Sequence, residues 1–284
     1  MANPFSPVEW LCAGDRRLTL GRCGVLMAII NVTPDSFSDG GLHAGPDAAF
    51  RHALACAQEG AQILDIGGES TRPGAEPVSA EEEQDRVLPL IERLARETPA
   101  LLSIDTYRAE TARLALAAGA HIVNDVHGLQ REPALARVVA DAEAGLCIMH
   151  TGRGRTKRPD VIEDQKVFLD QSLAIADAAG IDRRSIVLDP GFGFAKDEGE
   201  NLSLMARFGE LRAFGLPLLV GTSRKRFLGA VTGQEAAQAR DVATAATTAL
   251  LRAAGGAVFR VHDVAINRDA LAVADAMIAA RRQA

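Results

Sequence analysis

Basic, amide and hydroxyl side chains suited to holding phosphate occur at intervals along this chain of 284 residues. Arginine presents a planar fork that matches phosphate oxygens, and an amide oxygen can help to hold magnesium. Such residues predict a site for a phosphate-bearing substrate. They are Asn31, Thr71, Arg72, Arg260 and His262.

A second set of polar side chains suits a flat heterocycle, and it consists of Asp105, Asn124, Asp189 and Lys225. A carboxylate or carboxamide can pair with adjacent ring N–H and amino donors, whereas an ammonium donates to carbonyl and ring-nitrogen acceptors. Taken singly, these residues also have structural explanations. Asp105 or Asn124 could cap the following helix, and Asp189 could hold a turn.

Each polar residue follows a short apolar run, which is the element that must position it. The run from Val25 to Val32 has too few polar residues to face water on either side, so it predicts a central strand of a parallel sheet. The same design recurs along the chain. Strands are predicted near residues 25-32, 63-67, 101-105, 122-125, 146-150, 186-189, 216-222 and 258-262.

Segments with helical periodicity separate these runs. Ser79 and Glu82 form a capping-box pattern before one apolar face, and Asp47 is predicted to begin a helix that ends near Gly60. Further helices are predicted at 109-118, 133-144, 162-179, 201-214, 237-254 and 268-280.

Eight alternating strands and helices predict a (β/α)8 TIM barrel of the α/β class, formed by one domain over residues 1-284. The residues up to about Cys23 are expected to form a short N-terminal hairpin or cap across its bottom. An open doubly wound sheet is the competing architecture, although eight strands favour the barrel. In a barrel, the polar strand ends would converge on the face where these folds place catalysis.

Composition narrows the function classes. The hydrophobic content of 48% allows a large core, and a formal net charge of -6 argues against general nucleic-acid binding. Four cysteines without CxxC spacing favour a reducing cytoplasm. The chain shows neither a secretory signal nor an apolar run long enough to cross a bilayer, so no membrane association is expected.

Three familiar patterns carry little weight here. Gly191-Phe192-Gly193 is only a fragment of a dinucleotide-binding fingerprint, and the segment from Gly221 to Lys225 lacks the spacing of a phosphate loop. His52 and Cys56 are four residues apart on a predicted helix, where they are expected to be packing residues and not zinc ligands.

Seven segments, in order and spacing, resemble dihydropteroate synthase. They are residues 31-41 (NVTPDSFSDGG), 65-74 (DIGGESTRPG), 103-106 (SIDT), 123-126 (VNDV), 188-194 (LDPGFGF), 223-225 (SRK) and 260-263 (RVHD). The resemblance spans nearly the whole chain and implies a (β/α)8 barrel. It further implies that para-aminobenzoate displaces pyrophosphate from 6-hydroxymethyl-7,8-dihydropterin pyrophosphate, which gives 7,8-dihydropteroate.

The resemblance implies three subsites, a Mg²⁺ ion and a homodimer formed through the alanine-rich later helices. The pterin would be bound by Asp105, Asn124, Met149, Asp189, Phe194 and Lys225. The pyrophosphate would be bound by Asn31, Thr71, Arg260 and His262, with Mg²⁺ bridging to Asn31. Para-aminobenzoate would be held by Phe37, Thr71, Arg72, Pro73 and Ser223. The catalytic residues would be Asp105, Lys225 and Arg260.

Residues 151-158 depart from the family pattern, because they form a strongly basic string. This segment is expected to be a solvated loop; the alternative is that it contacts the entrance of the site.

Two other functions are compatible with parts of the pattern. A related pterin-binding methyltransferase would have no use for a pyrophosphate clamp, and a catalytically silent paralogue would be expected to lack one of the site residues.

Overall fold

The computed structural model describes residues 3-32, 41-69, 76 and 78-283. It begins with a hairpin of two antiparallel strands, β1 (Val8–Cys12) and β2 (Arg16–Leu20). Trp10 on β1 is buried, and its indole N–H donates to the carbonyl of Ser185 at 2.8 Å. The hairpin therefore covers the bottom of the fold, as predicted.

Eight parallel strands follow. They are β3 (Val25–Asn31), β4 (Ile63–Gly67), β5 (Leu101–Asp105), β6 (Ile122–Asp125), β7 (Gly145–Met149), β8 (Ile186–Asp189), β9 (Leu219–Val220) and β10 (Val258–Val261). Their order in the sheet is β8-β7-β6-β5-β4-β3-β10-β9, and a parallel bridge between Leu188 and Leu218 joins the two ends. This order confirms the predicted barrel and excludes the open doubly wound sheet.

The helices between the strands pack around the outside of the barrel. They are α1 (Gly41–Glu59), α2 (Ala80–Glu97), α3 (Ala109–Ala117), α4 (Ala134–Asp141), α5 (Val161–Ala179), α6 (Glu198–Ala206), α7 (Arg226–Thr232), α8 (Asp241–Ala253) and α9 (Val264–Gln283). Short 3-10 turns occur at Arg183–Ser185, Phe208–Phe214 and Gln238–Arg240. No described helix is long and apolar enough to cross a membrane.

Several predicted helix ends are wrong. Helix α1 begins at Gly41 and not at Asp47, whose carboxylate instead pairs with Arg93 at 2.6 Å. Helix α9 begins at Val264 because Asp263 accepts the backbone N–H of Ile266, four residues before the predicted start.

Two other segments of the prediction are divided differently. The segment predicted as one helix over 201-214 begins at Glu198, ends at Ala206 and continues as a 3-10 turn. The one predicted over 237-254 starts with a 3-10 turn before α8. Helix α7 was not predicted.

Two local expectations were only partly met. The hydroxyl of Ser79 accepts the backbone N–H of Glu82 at 3.1 Å, but the Glu82 carboxylate pairs with Arg86 instead of completing the capping box. The strand predicted over 216-222 is reduced to β9, since Pro217 has no N–H to donate to a ladder.

Alternate strand residues face the barrel interior, and their character changes along its axis. The lower interior is apolar and is filled, directly above the hairpin, by Val25, Met27, Ile63, Leu101, Ile122, Cys147, Val187, Leu219 and Val258. The opposite strand faces pack against the helices in the main core. Polar residues occupy the carboxyl ends of the strands, so the apolar lower layers form a rigid floor for the site.

Candidate active site

A pocket opens at the carboxyl ends of the strands, where the predicted pterin residues meet. Its lining comprises Asp105, Asn124, Val126, Met149, Asp189, Gly191, Phe192, Phe194, Gly221, Lys225 and Arg260. All six residues predicted to bind the pterin are included. Val126, Met149 and Phe194 pack together as an apolar wall within it, suited to a flat aromatic ring.

Arg260 joins two carboxylates at the centre of the pocket. Its Nε donates to Asp65 Oδ2 at 2.5 Å, and a terminal nitrogen donates to Asp105 Oδ2 at 2.6 Å. The same oxygen of Asp65 also accepts the amide of Asn124 at 3.1 Å. Burial opposes the charge of Arg260, but the two carboxylates outweigh it and raise the pKa of the guanidinium.

Sequence reasoning missed Asp65. Its side chain is fully buried, in contrast to Asp105, which keeps some contact with solvent. The signal was present, because Asp65 interrupts the otherwise apolar strand β4 at a position that faces the barrel interior. A buried carboxylate at such a position needs a cationic partner.

Asp105 has the electrostatics of a residue that can respond to charge in a ligand. Burial raises the pKa of its carboxyl to about 7, the charge of Arg260 opposes that rise, and Asp65 adds to it. The ion pair with Arg260 holds the side chain in place. A positive charge arriving nearby would therefore favour the ionised carboxylate.

Asp189 and Lys225 form the other polar side of the pocket. Asp189 Oδ1 accepts the backbone N–H of Gly191 at 2.7 Å, and burial raises the pKa of the carboxyl. The Lys225 ammonium lies 4.3 Å from the centre of the Phe194 ring. Burial lowers the pKa of Lys225 to about 8, and the charge of Arg260 adds to this shift.

Among the described residues predicted to bind phosphate, Asn31 lies near Asp105, and His262 contacts Ser223. Asn31 Oδ1 and Asp105 Oδ2 lie 3.9 and 3.7 Å from the position that a Cβ on Gly67 would occupy, so a residue without a side chain separates them. Ser223 Oγ lies 2.9 Å from His262 Nδ1 and accepts the backbone N–H of His262 at 3.1 Å. Ser223 and His262, predicted for different subsites, are thus in contact.

Four predicted residues lie outside the described part of the chain: Phe37, Thr71, Arg72 and Pro73. They belong to the segments that follow β3 and β4, so the para-aminobenzoate subsite is represented among the described residues by Ser223.

The basic segment 151-158 is not a solvated loop. Arg155 pairs with Asp164 at 2.5 Å, and Lys157 pairs with Glu200 at 2.5 Å. The Arg153 guanidinium lies 4.6 Å from the centre of the Phe194 ring, at the wall of the pocket. The segment therefore reaches the site, which was the less favoured expectation.

The chain is similar to known proteins over most of its length. A family described as pterin binding enzyme matches residues 27–262. The dihydropteroate synthase of Bacillus subtilis (strain 168) is 45% identical over 240 residues, which is 84% of each chain. This chain belongs to the dihydropteroate synthase family.

Solved structures of the family share its fold. A Xanthomonas albilineans dihydropteroate synthase with 4-aminobenzoic acid superimposes with a TM-score of 0.91 at 44% identity, covering 96% of this chain and 99% of that one. The Yersinia pestis dihydropteroate synthase with a sulfonamide drug complex gives a TM-score of 0.87 at 39% identity, covering 94% and 98%. The family resemblance of the sequence is thereby confirmed.

Proposed function

We propose that this chain condenses 6-hydroxymethyl-7,8-dihydropterin pyrophosphate with para-aminobenzoate to give 7,8-dihydropteroate and pyrophosphate. The observation that carries the proposal is the pocket in which Asp105, Asn124, Asp189, Lys225 and Arg260 meet against one apolar wall. The family relationship supports the same reaction.

The pterin would lie in this pocket with its polar edges matched to the protein. Asp189 and Asn124 would accept from the adjacent ring N–H and amino donors, and Lys225 would donate to carbonyl and ring-nitrogen acceptors. Met149 and Phe194 would cover the ring from the apolar wall. Because the carboxylates and the ammonium are buried, a ligand lacking these donors would leave them unpaired, which is the basis of specificity.

Pyrophosphate would bind between Asn31, Arg260 and His262, near the methylene end of the pterin. The hydroxyl of Ser223 is close enough to donate to His262 Nδ1, which favours an imidazole that carries its hydrogen on Nε2. Thr71 and the other predicted residues of the segments that follow β3 and β4 would complete this subsite and the one for para-aminobenzoate.

The donor set is compatible with a magnesium ion brought by the pyrophosphate. The described residues contain no group of three or more His, Cys, Asp or Glu side chains placed to hold a metal. Mg²⁺ commonly keeps several waters and is bound through substrate phosphates, so the single amide oxygen of Asn31 fits this mode. When bound, the ion would neutralise charge on the leaving group.

The chemical step exchanges a carbon–oxygen bond for a carbon–nitrogen bond. Pyrophosphate leaves with the bonding electron pair, and Arg260 offsets its charge. The pterin methylene then carries positive charge, which the Asp105 carboxylate stabilises. The amine of para-aminobenzoate attacks this carbon and afterwards releases a proton, so no covalent intermediate with the protein is required.

A homodimer and a cytoplasmic location are also proposed. Val242 and Leu250 on α8 and Val273 on α9 have exposed fractions of 72%, 64% and 71%, on helices that pack against each other. A second copy of this chain would cover this apolar surface. Analytical ultracentrifugation tests the homodimer, since Val273→Lys should shift a dimer towards monomer.

The proposed cytoplasmic location rests on four cysteines that are all free thiols.

The reaction is tested by incubating the purified protein with both substrates and Mg²⁺ and measuring the products by mass spectrometry. Dihydropteroate and pyrophosphate are expected in equal amounts, and neither should form if one substrate is omitted. Absence of dihydropteroate with both substrates present would overturn the proposal.

A further inference from the structure

A buried lysine lies behind the pterin pocket, outside its lining. Lys196, between β8 and α6, is 9% exposed. Its Nζ lies 2.9 Å from His150 Nδ1 and donates to the carbonyl of Gly191 at 2.8 Å. Among the described residues, these two acceptors are the only hydrogen-bond partners of the ammonium. Burying a cation costs free energy, so a buried Lys196 indicates that its ammonium has a role.

The contacts of His150, which is the next residue outward from Lys196, determine which ring nitrogen carries the hydrogen. Its Nε2 lies 3.0 Å from Asp164 Oδ2, an oxygen that also accepts from Arg155 at 2.5 Å. Burial lowers the pKa of His150 to about 4, so the ring is neutral. A terminal nitrogen of Arg155 also lies 2.7 Å from Nε2, but this guanidinium already donates to both oxygens of Asp164. Lys196 can only donate at Nδ1 and the Asp164 carboxylate can only accept at Nε2, so these two contacts place the ring hydrogen on Nε2.

Charge along this cluster alternates in a way that strengthens each contact. The Asp164 carboxylate polarises the imidazole, which makes Nδ1 a better acceptor for the ammonium. Arg155, from the basic segment that departs from the family pattern, and the backbone N–H of Arg158 hold Asp164 in turn. Burial lowers the pKa of Lys196 to about 7, while Asp189 and Asp164 favour its charged form.

The contact inward from Lys196 reaches the carboxylate of Asp189 through one residue, Gly191. Gly191 gives its carbonyl to Lys196 and its N–H to Asp189 Oδ1, and that carbonyl also accepts from Phe194 N at 3.1 Å. Gly191 has a φ of +65°, and a Cβ there would lie 1.9 Å from the carbonyl oxygen of His150. The backbone N–H of His150 donates to the Asp189 carbonyl at 2.8 Å.

We infer that Lys196 is a positioning residue for pterin binding, acting through Gly191 on Asp189 and Phe194. Its ammonium fixes the turn after β8, so that the N–H of Gly191 aims the Asp189 carboxylate and the Phe194 ring closes the apolar wall. This inference rests on the proposed function. Among the described residues, Lys196 forms no hydrogen bond with Asn31, Arg260, His262 or Ser223, so its effect should be confined to the pterin.

The test compares Lys196→Met with Lys166→Met by calorimetry. Methionine keeps the length and packing of the side chain but cannot donate, and Lys166 is a matched control that pairs with Glu163 on the surface of α5. For Lys196→Met, we expect the Kd of 6-hydroxymethyl-7,8-dihydropterin to rise at least about tenfold, the loss of one hydrogen bond to a charged group. The Kd of magnesium pyrophosphate should stay within about twofold of the wild-type value, and Lys166→Met should match wild type for both ligands.

The outcomes separate this inference from the proposed function. Wild-type protein that fails to bind the pterin would overturn both. Wild-type binding with an unchanged pterin Kd in Lys196→Met, or equal losses for pterin and pyrophosphate, would overturn the positioning role alone.

A measurement on the wild type keeps the inference testable if Lys196→Met does not fold. Nitrogen-15 NMR of the histidines at pH 6 should show His150 with its hydrogen on Nε2 and an Nδ1 that accepts a hydrogen bond. A hydrogen on Nδ1 would overturn the inference, because an ammonium could not then lie 2.9 Å from Nδ1, which is the place from which it donates to Gly191.

Discussion

The Nε of Arg260 donates to Asp65 at 2.5 Å, from a strand on the other side of β3 in the barrel sheet. The carboxylate of Asp65 is fully buried, and its Oδ1 has no hydrogen-bond partner among the described residues. Its one paired oxygen therefore holds both Arg260 and Asn124, which links the residue assigned to the leaving group with one assigned to the pterin.

Asp65→Asn should lower both stability and turnover. The amide oxygen can still accept from Arg260, but the new NH2 group would occupy the position of Oδ1, where a buried donor lacks an acceptor. An unsatisfied buried polar group costs about 1 to 3 kcal/mol. Urea unfolding should show a loss of this size, together with a reduced kcat. Unchanged stability and kcat would mean that Asp65 does not organise the site.

Asp105→Asn should reduce turnover far more than substrate affinity. The amide keeps the shape and most hydrogen bonding of the side chain but removes the negative charge opposite the developing cation. We expect a fall in the single-turnover rate on the order of 100-fold, as for removal of one electrostatic stabiliser. Calorimetry should give a pterin Kd close to that of wild type. A normal single-turnover rate would reduce Asp105 to a positioning residue.

Pterin affinity should fall as pH rises through about 8. Burial lowers the pKa of Lys225 to about 8, and the ammonium that donates to the pterin is lost above that value. Lys225→Arg keeps its charge at all these pH values, so the loss near pH 8 should disappear. A smaller loss near pH 7 should remain, from Lys196. The measurement is the pterin Kd against pH. If wild type and Lys225→Arg lose the same affinity near pH 8, Lys225 does not have this role.

Sulfonamides should compete with para-aminobenzoate and bind tightly only after pyrophosphate. An aryl sulfonamide carries the aniline ring of the substrate, and this chain keeps Phe37 and Pro73 of the family pattern. Pyrophosphate bound to Asn31, Thr71 and Arg72 would hold the segments that follow β3 and β4 beside the drug before it binds. Calorimetry with pterin, with and without magnesium pyrophosphate, measures this. Equal sulfonamide affinities in the two conditions would contradict this order of binding. Inhibition that para-aminobenzoate cannot relieve would contradict a shared pocket.

The sequence predicted the barrel because its signals are local. A parallel strand buried on both faces is a mainly apolar run, and a charged or amide residue marks its carboxyl end, as at Asp105, Asn124 and Asp189. In a barrel these ends share one face, so the strand ends alone predict that the pterin residues lie together.

Contacts between distant segments could not be predicted in this way. The pairing of Arg260 with Asp65 joins residues 195 positions apart, and Arg155 pairs with Asp164 only because α5 lies beside it. A string of basic residues has the composition of a solvated loop, and its ion pairs depend on acids supplied by other elements. Helix α7 is short, and its seven residues give too little periodicity for a prediction.

Isotope labelling tests the central claim most directly. The pterin pyrophosphate would carry oxygen-18 in the bridge to the methylene carbon, and para-aminobenzoate would carry nitrogen-15 in its amine. Carbon–oxygen cleavage predicts nitrogen-15 dihydropteroate and oxygen-18 pyrophosphate in equal amounts. Oxygen-18 retained on hydroxymethyldihydropterin, or no nitrogen-15 in a pterin product, would contradict the proposed reaction.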